Sequence, residues 1–248
     1  MILVVDIGNT TVSFGGIEIS DRNGYRVDFT TKLDTNCTWD TADYTIRLLK
    51  KLRLLGKETA EFSGIVISSV VPRVLDVVRE ALNSIFGLEP LVVTCESKLG
   101  LTLDVPEPQK LGRDRLADSA WAAANYPLPV VTADLGTATT FNVIKAGGVF
   151  CGGVIAAGME TGLKALGIHT AQLPKLELRA PEQVIGKNTE ACMLSGAVIG
   201  TAALLDGIVT AIEQELGETV SFVITGGGAA YVDKLVRHPH SYDPNMIL

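Results

Sequence analysis

The chain has 248 residues, 47 % of them hydrophobic and 20 % charged, the balance of a folded globular protein long enough to bury a sizeable core. Its net charge of −7 leaves no basic footprint for nucleic acid or for an anionic membrane surface. Four scattered cysteines, Cys37, Cys95, Cys151 and Cys192, make no C-x-x-C pair and no zinc-type Cys/His spacing, so free thiols and a cytoplasmic location are expected.

The opening MILVV runs straight into Asp6 and reads as a strand rather than an export signal. After a Gly-Asn turn, TVSFGGIEI (11–19) and YRVDFTT (25–31) read as two more strands. A helix is predicted over 38–56, capped at Thr38 or Asp40 and stopped by Gly56. FSGIVISSVVP (62–72) is a buried strand, RVLDVVREALNSIFG (73–87) an amphipathic helix and LVVT (91–94) a closing strand. The pattern then restarts, with a helix over 115–126, a strand over 129–136 and a hairpin over 139–158 turning at KAGG. A helix and a looser stretch lead to a long helix over 188–217 that opens on Asn188 or Thr189. VSFVITGGG (220–228) then puts a strand before a glycine turn, and a last short helix follows. The longest apolar run, MLSGAVIGTAALL (193–205), is too short for a membrane span.

The two halves share a motif. VVDIGNTT (4–11) and VTADLGTATT (131–140) each end a strand on Asp and turn through Gly and Thr. Such a tight turn exposes backbone N–H groups beside a Thr hydroxyl, a cradle for phosphate oxygens. The strand-end carboxylate can hold a cation directly or through water, as a magnesium ion between phosphates requires. A single copy reads as an ordinary hairpin turn. Two copies in equivalent places, with TGGG at 225–228 as a third turn, point to a nucleotide cleft.

This constellation resembles the actin, sugar kinase and Hsp70 ATPase superfamily. Further stretches are similar to type III pantothenate kinases: SSVVP (68–72), GRDR (112–115), GGVIAAGMETGLKALGIHTAQLP (152–174), GKNT (186–189) and SGAVIG (195–200). The resemblance implies an α/β fold of two tandem ribonuclease-H-like, actin-like ATPase domains with mixed sheets, 1–113 and 114–248, and an ATP cleft between them. It implies phosphorylation of pantothenate by ATP at the first step towards coenzyme A, with Mg2+ and a monovalent cation (K+ or NH4+), in a homodimer.

Residue by residue, the resemblance makes Asp114, between Arg113 and Arg115, the general base. It gives ATP the hairpin Asp6, Ile7, Gly8, Asn9, Thr10, Thr11, Val12 and Ser13, together with Thr137, Gly226 and Gly227. Asp6 reaches magnesium through water and Asp134 the monovalent cation. Gly112, Arg113, Asp114, Arg115 and Thr189 face pantothenate, Arg115 offering a planar fork to its carboxylate. Read without the resemblance, Asp114 is a helix cap or salt-bridge partner and Arg115 a surface arginine. His169 reads as a loop contact, His238 and His240 as part of a solvated terminal segment, and Trp39 and Trp121 as packing residues. The small residues of the long helix suit a core or a dimer seam.

Three positions depart from the family pattern. Val105 stands where many relatives have Tyr, Ala157 where they have Pro, and the chain stops at DPNMIL where relatives continue into a short helix. Two rival readings stay open: a regulatory homologue of the Bvg accessory factor kind, and an ATPase or phosphatase of the same superfamily.

Overall fold

A computed structural model of the chain describes residues 1–20 and 24–246. They divide into two compact units. The first comprises Met1–Ser97 and Glu107–Ala117; the second comprises Lys98–Pro106 and Asp118–Met246. The last two residues of the sequence, within DPNMIL, lie outside the described residues.

The first unit is built on β1 (Ile2–Ile7), β2 (Thr11–Ser20), β3 (Gly24–Asp34), β4 (Gly64–Ser69) and β5 (Leu91–Val92). Their spatial order is β3-β2-β1-β4-β5, the first three antiparallel and β1, β4 and β5 parallel. Helix α1 (Thr41–Leu54) takes the second of its two expected caps, Asp40, and not Thr38. Asp40 accepts from the Asp43 N–H while the Asp43 side chain reaches back to the Asp40 N–H. Helix α2 (Pro72–Phe86) begins on a proline, which loses nothing at a first helical position, and ends on left-handed Gly87. Tyr44, Leu48 and Leu52 of α1 and Val74, Val78 and Leu82 of α2 pack on Leu3, Val5, Ile7 and Phe14. Alternation along β1 therefore turns Asp6 to the face opposite this core.

The second unit repeats the plan. Its strands are β6 (Thr102–Leu103), β7 (Val130–Leu135), β8 (Ala138–Lys145), β9 (Val149–Ala157), β10 (Ser221–Thr225) and β11 (Ser241–Tyr242), ordered β11-β10-β7-β8-β9-β6. Leaving aside the added edge strand β6, β7 to β11 reproduce the order and directions of β1 to β5. The α/β fold with two ribonuclease-H-like sheets is as the resemblance implies. Helix α3 (Arg113–Asn125) begins two residues earlier than the sequence suggests, so Asp114 lies in its first turn. The start of α3 belongs to the first unit and its remainder to the second, which carries α4 (Met159–His169), α5 (Thr189–Leu216) and the short α6 (Ala229–Val232).

Asn188 caps α5 by accepting from the Ala191 N–H at 2.8 Å, and left-handed Gly217 ends it. By length and composition α5 would pass for a membrane span, with a mean hydropathy of 1.8 over 18 residues. Its Val198, Ala202, Leu205 and Val209 instead form a stripe buried on Val131, Ala133, Phe141, Phe222 and Ile224.

The terminal histidines are not on a solvated tail. Their side chains are 15 % and 12 % exposed, and their Nε2 atoms lie 3.1 Å from Glu213 (His238) and 3.3 Å from Asp233 (His240). Both rings pack against Phe222. The segment they anchor becomes β11, which sequence reading missed. Trp39 packs edge-on against Tyr44 beneath the Arg47 guanidinium, and Trp121 donates to Asp243 at 3.1 Å.

Candidate active site

Each unit contributes its own hairpin. In the first, the Gly8 N–H donates to the Thr11 carbonyl at 2.9 Å, closing a turn in which Asn9 and Thr10 are exposed. The residue after β3 holds this turn from behind: Thr35 donates through its hydroxyl to the Gly8 carbonyl at 2.7 Å and through its N–H to the Thr10 carbonyl at 2.9 Å. Asp6, Ile7, Val12 and Ser13 are buried at its base. In the second unit the Gly136 N–H donates to the Ala138 carbonyl at 3.0 Å. The clamp again follows the third strand. The Thr137 carbonyl accepts from the Gly158 N–H at 3.1 Å and from the Thr161 hydroxyl at 2.6 Å.

The glycines of TGGG divide by role. Gly226 has φ +88°, and a Cβ there would overlap the Asp134 carboxylate and come 2.7 Å from the Leu135 nitrogen. Gly228 donates to the Leu135 carbonyl at 2.9 Å, and a Cβ there would meet the Met159 methyl. These two glycines let the turn lie on the strand end that carries Asp134. Gly227 is exposed, and open space surrounds the place its Cβ would take.

In the first unit Gly112 precedes α3, and its carbonyl accepts the Leu116 N–H at 3.1 Å. A Cβ on Gly112 would strike the Asp114 carboxylate. That carboxylate accepts from the Arg115 N–H at 2.8 Å and sits at a helix N-terminus, where negative charge is favoured. Asp114 and its arginine neighbours Arg113 and Arg115 are partly exposed. Thr189 is exposed on the first turn of α5, next to a depression of about 300 Å³ lined by Arg179, Glu182, Lys187 and Glu190.

The donor chemistry suits hard cations. No group of three or more His, Cys, Asp or Glu is placed to hold a metal among the described residues. Each hairpin instead offers a single carboxylate, Asp6 or Asp134, with hydroxyls beside it. Magnesium in phosphoryl-transfer sites is bound in this way, by one or two carboxylates plus substrate phosphates. Two of those hydroxyls, Ser68 and Thr225, are buried and have no hydrogen-bond partner among the described residues, a state that costs about 1–3 kcal/mol. Sequence reading missed both, and missed the clamps Thr35, Gly158 and Thr161. The glycine opening the helix in AAGMETG was the one available signal.

A larger cavity of about 830 Å³ lies between α4 and α5, lined by apolar residues such as Leu163, Leu166, Met193 and Leu204, and contains none of the residues expected to handle phosphate. Burial pushes the Cys151 thiol above its ordinary range, marking it as unreactive, and all four cysteines are free.

Two duplicated sheets bearing strand-end carboxylates define an α/β protein of the actin-like ATPase and sugar kinase fold. Solved structures agree. One is a Campylobacter jejuni protein described as a Baf family transcriptional activator, at TM-score 0.58 and 18 % identity, covering 99 % of this chain and 92 % of that one. Another is the ethanolamine utilization protein EutJ from Carboxydothermus hydrogenoformans, at TM-score 0.53 and 16 % identity, covering 99 % and 85 %. The type III pantothenate kinase family model matches residues 2–211. A type III pantothenate kinase of Phenylobacterium zucineum is 33 % identical over 248 residues, all of this chain and 95 % of the relative. The chain belongs to the type III pantothenate kinase family.

Proposed function

We propose that the protein transfers the γ-phosphoryl group of ATP to the primary hydroxyl of pantothenate, supplying 4′-phosphopantothenate for coenzyme A synthesis. The observation that carries this reading is the family match over residues 2–211, joined to two hairpins of one design that each end on a carboxylate. Phosphoryl transfer needs positioning and charge neutralisation more than covalent help from the protein.

In this reading Asp6 holds magnesium through water, while the exposed tip Asn9–Thr10 and the Gly8 and Thr11 backbone meet the phosphates. Thr137 serves the second hairpin and Asp134 the monovalent cation. Gly227 is the glycine free to meet the nucleotide, with Gly226 shaping the turn beneath it. When bound, the magnesium ion neutralises charge on the transferring phosphoryl group. Asp114 accepts the hydroxyl proton, held by the Arg115 N–H in the place that Gly112 leaves open. Arg113, Arg115 and Thr189 bind pantothenate, with Arg115 on its carboxylate. A cytoplasmic setting fits four free cysteines. The small residues Gly196, Ala197 and Gly200 along an apolar groove support a homodimer.

The test is ADP release from the purified protein with ATP, magnesium and potassium, with and without pantothenate, alongside Asp114→Asn. Pantothenate-dependent turnover that falls about 10²- to 10⁴-fold in the variant supports both the reaction and the base. Turnover independent of pantothenate assigns another acceptor or an ATPase, and ATP binding without turnover assigns a regulatory role.

A further inference from the structure

Asp6 and Asp134 each stand at the centre of a row of three oxygen-bearing side chains. Asp6 on β1 is in register with Ser13 on β2 and with Ser68 on β4. Asp134 on β7 is in register with Thr140 on β8 and with Thr225 on β10. Register partners on neighbouring strands project from the same face with the strands about 4.8 Å apart, so each carboxylate has a hydroxyl on either side. The opposite face of each sheet carries the apolar core.

Ser13 belongs to the hairpin motif, but Ser68 and Thr225 do not. They come from β4 and β10, the strands that occupy matching places in the two sheets. Ser68 is 6 % exposed and Thr225 fully buried, and neither hydroxyl has a hydrogen-bond partner among the described residues. For the folded chain alone this is a loss: a buried hydroxyl without a partner costs free energy, and alanine or valine would fill the same space without it. Thr139 is a third such hydroxyl, in register with Leu135, but Ser68 and Thr225 stand at equivalent positions in register with the two carboxylates to which cations are assigned. Oxygen atoms at fixed spacing around one carboxylate suit alkali and alkaline-earth ions, which take carboxylate, hydroxyl and water oxygens in preference to nitrogen or sulfur.

We infer that the Thr225 hydroxyl is a ligand of the monovalent cation held at Asp134, and that the Ser68 hydroxyl holds a water of the magnesium ion at Asp6. The inference rests on the proposed function, which assigns those ions to those carboxylates. The hydroxyls then obtain their partners only when the ions arrive, which ties cation occupancy to the order of the strand ends β7/β10 and β1/β4.

The experiment follows the melting temperature of the full chain against KCl, with choline chloride holding ionic strength constant. Wild type is compared with Thr225→Val, Thr225→Ser and Asp134→Asn. In parallel, calorimetry measures magnesium-ADP affinity for wild type and Ser68→Ala. Without potassium, Thr225→Val is expected to melt at or above the wild-type temperature, because valine has the same shape and no hydroxyl to leave unpaired. Its potassium midpoint should rise about tenfold, equivalent to about 1.4 kcal/mol, and Thr225→Ser should restore it. Ser68→Ala should weaken magnesium-ADP about tenfold without lowering the melting temperature. A wild-type potassium midpoint in Thr225→Val, or a lower melting temperature without potassium, overturns the assignment of Thr225 while leaving Asp134 in place. A potassium response that survives in Asp134→Asn, or is absent from wild type, overturns the cation site itself and this inference with it.

Discussion

Gly226→Ala puts the architecture of the second hairpin to a quantitative test. Two costs arise at this position. The residue has φ +88°, where a Cβ meets its own backbone, worth about 1–2 kcal/mol for alanine. The new methyl would also overlap the Asp134 carboxylate and stand 2.7 Å from the Leu135 nitrogen, so either the turn or the end of β7 must move. Overpacking of this kind costs about 1–3 kcal/mol. Together they give about 2–5 kcal/mol, which for a unit of this size lowers the melting temperature by on the order of 10 °C. Gly227→Ala is the internal control: its φ is not positive and nothing lies within 4 Å of the added carbon. It should melt with wild type and, if the turn meets nucleotide, weaken ATP binding. Circular dichroism melts of both variants, with a nucleotide titration of Gly227→Ala, separate the two roles. A Gly226→Ala protein melting within about 2 °C of wild type, or a Gly227→Ala protein equally destabilised, would refute the reasoning that Gly226 alone is fixed by packing on Asp134.

Gly112→Ala should lower kcat/KM while changing the melting temperature little, because its Cβ would displace the carboxylate of Asp114, the proposed base, and its nearest contacts are side-chain atoms; steady-state kinetics beside a melt checks this, and unchanged kinetics would detach Gly112 from that role. Glu213 supplies a pH dependence. Burial works against its charge, but the Val220 N–H at 3.1 Å and the His238 ring outweigh it and hold the carboxyl below the usual range. A carboxyl depressed on folding contributes stability above its unfolded value of about 4.3 and loses it as pH falls through the folded value. The gap in melting temperature between wild type and Glu213→Gln should therefore close as pH drops from about 6 towards about 3; a gap that stays constant would show that the charged carboxylate's contacts do not contribute.

What the sequence made legible was local. Asp-x-Gly after an apolar β-branched run identifies both hairpins, because the turn chemistry sits within a few consecutive residues. Pro72, Gly87, Asn188 and Gly217 bound their helices for the same reason: a cap is a contact between near neighbours in the chain. The elements that escaped are those whose cause lies far away. β6 and β11 are two residues each, too short for any periodicity, and are held by distant carbonyls: Gly148 and Phe150 accept from Thr102 and Asp104, and Ile224 accepts from Asp243. His238 and His240 read as a polar tail because their acceptors, Glu213 and Asp233, lie 25 and 7 residues back.

The same distinction separates the two kinds of glycine in TGGG. Glycine-rich turns read as places where a backbone approaches a ligand, and for Gly227 that remains the assignment. For Gly226 and Gly228 the approaching group is the protein's own β7, so their lack of a side chain is explained before any nucleotide is considered. Ser68 and Thr225 carry the argument the other way. Nothing in SSVVP or VITGGG marks one hydroxyl as different from its neighbours, and only strand register places it beside a carboxylate. There the fold gives no reason for a hydroxyl, since packing favours a methyl and no group among the described residues takes the proton or the lone pairs. A feature that folding accounts for says little about function. One that costs stability in the same way in both halves of a duplicated chain asks for a cause outside the fold, and the cations inferred above, held directly at Thr225 and through water at Ser68, are such a cause.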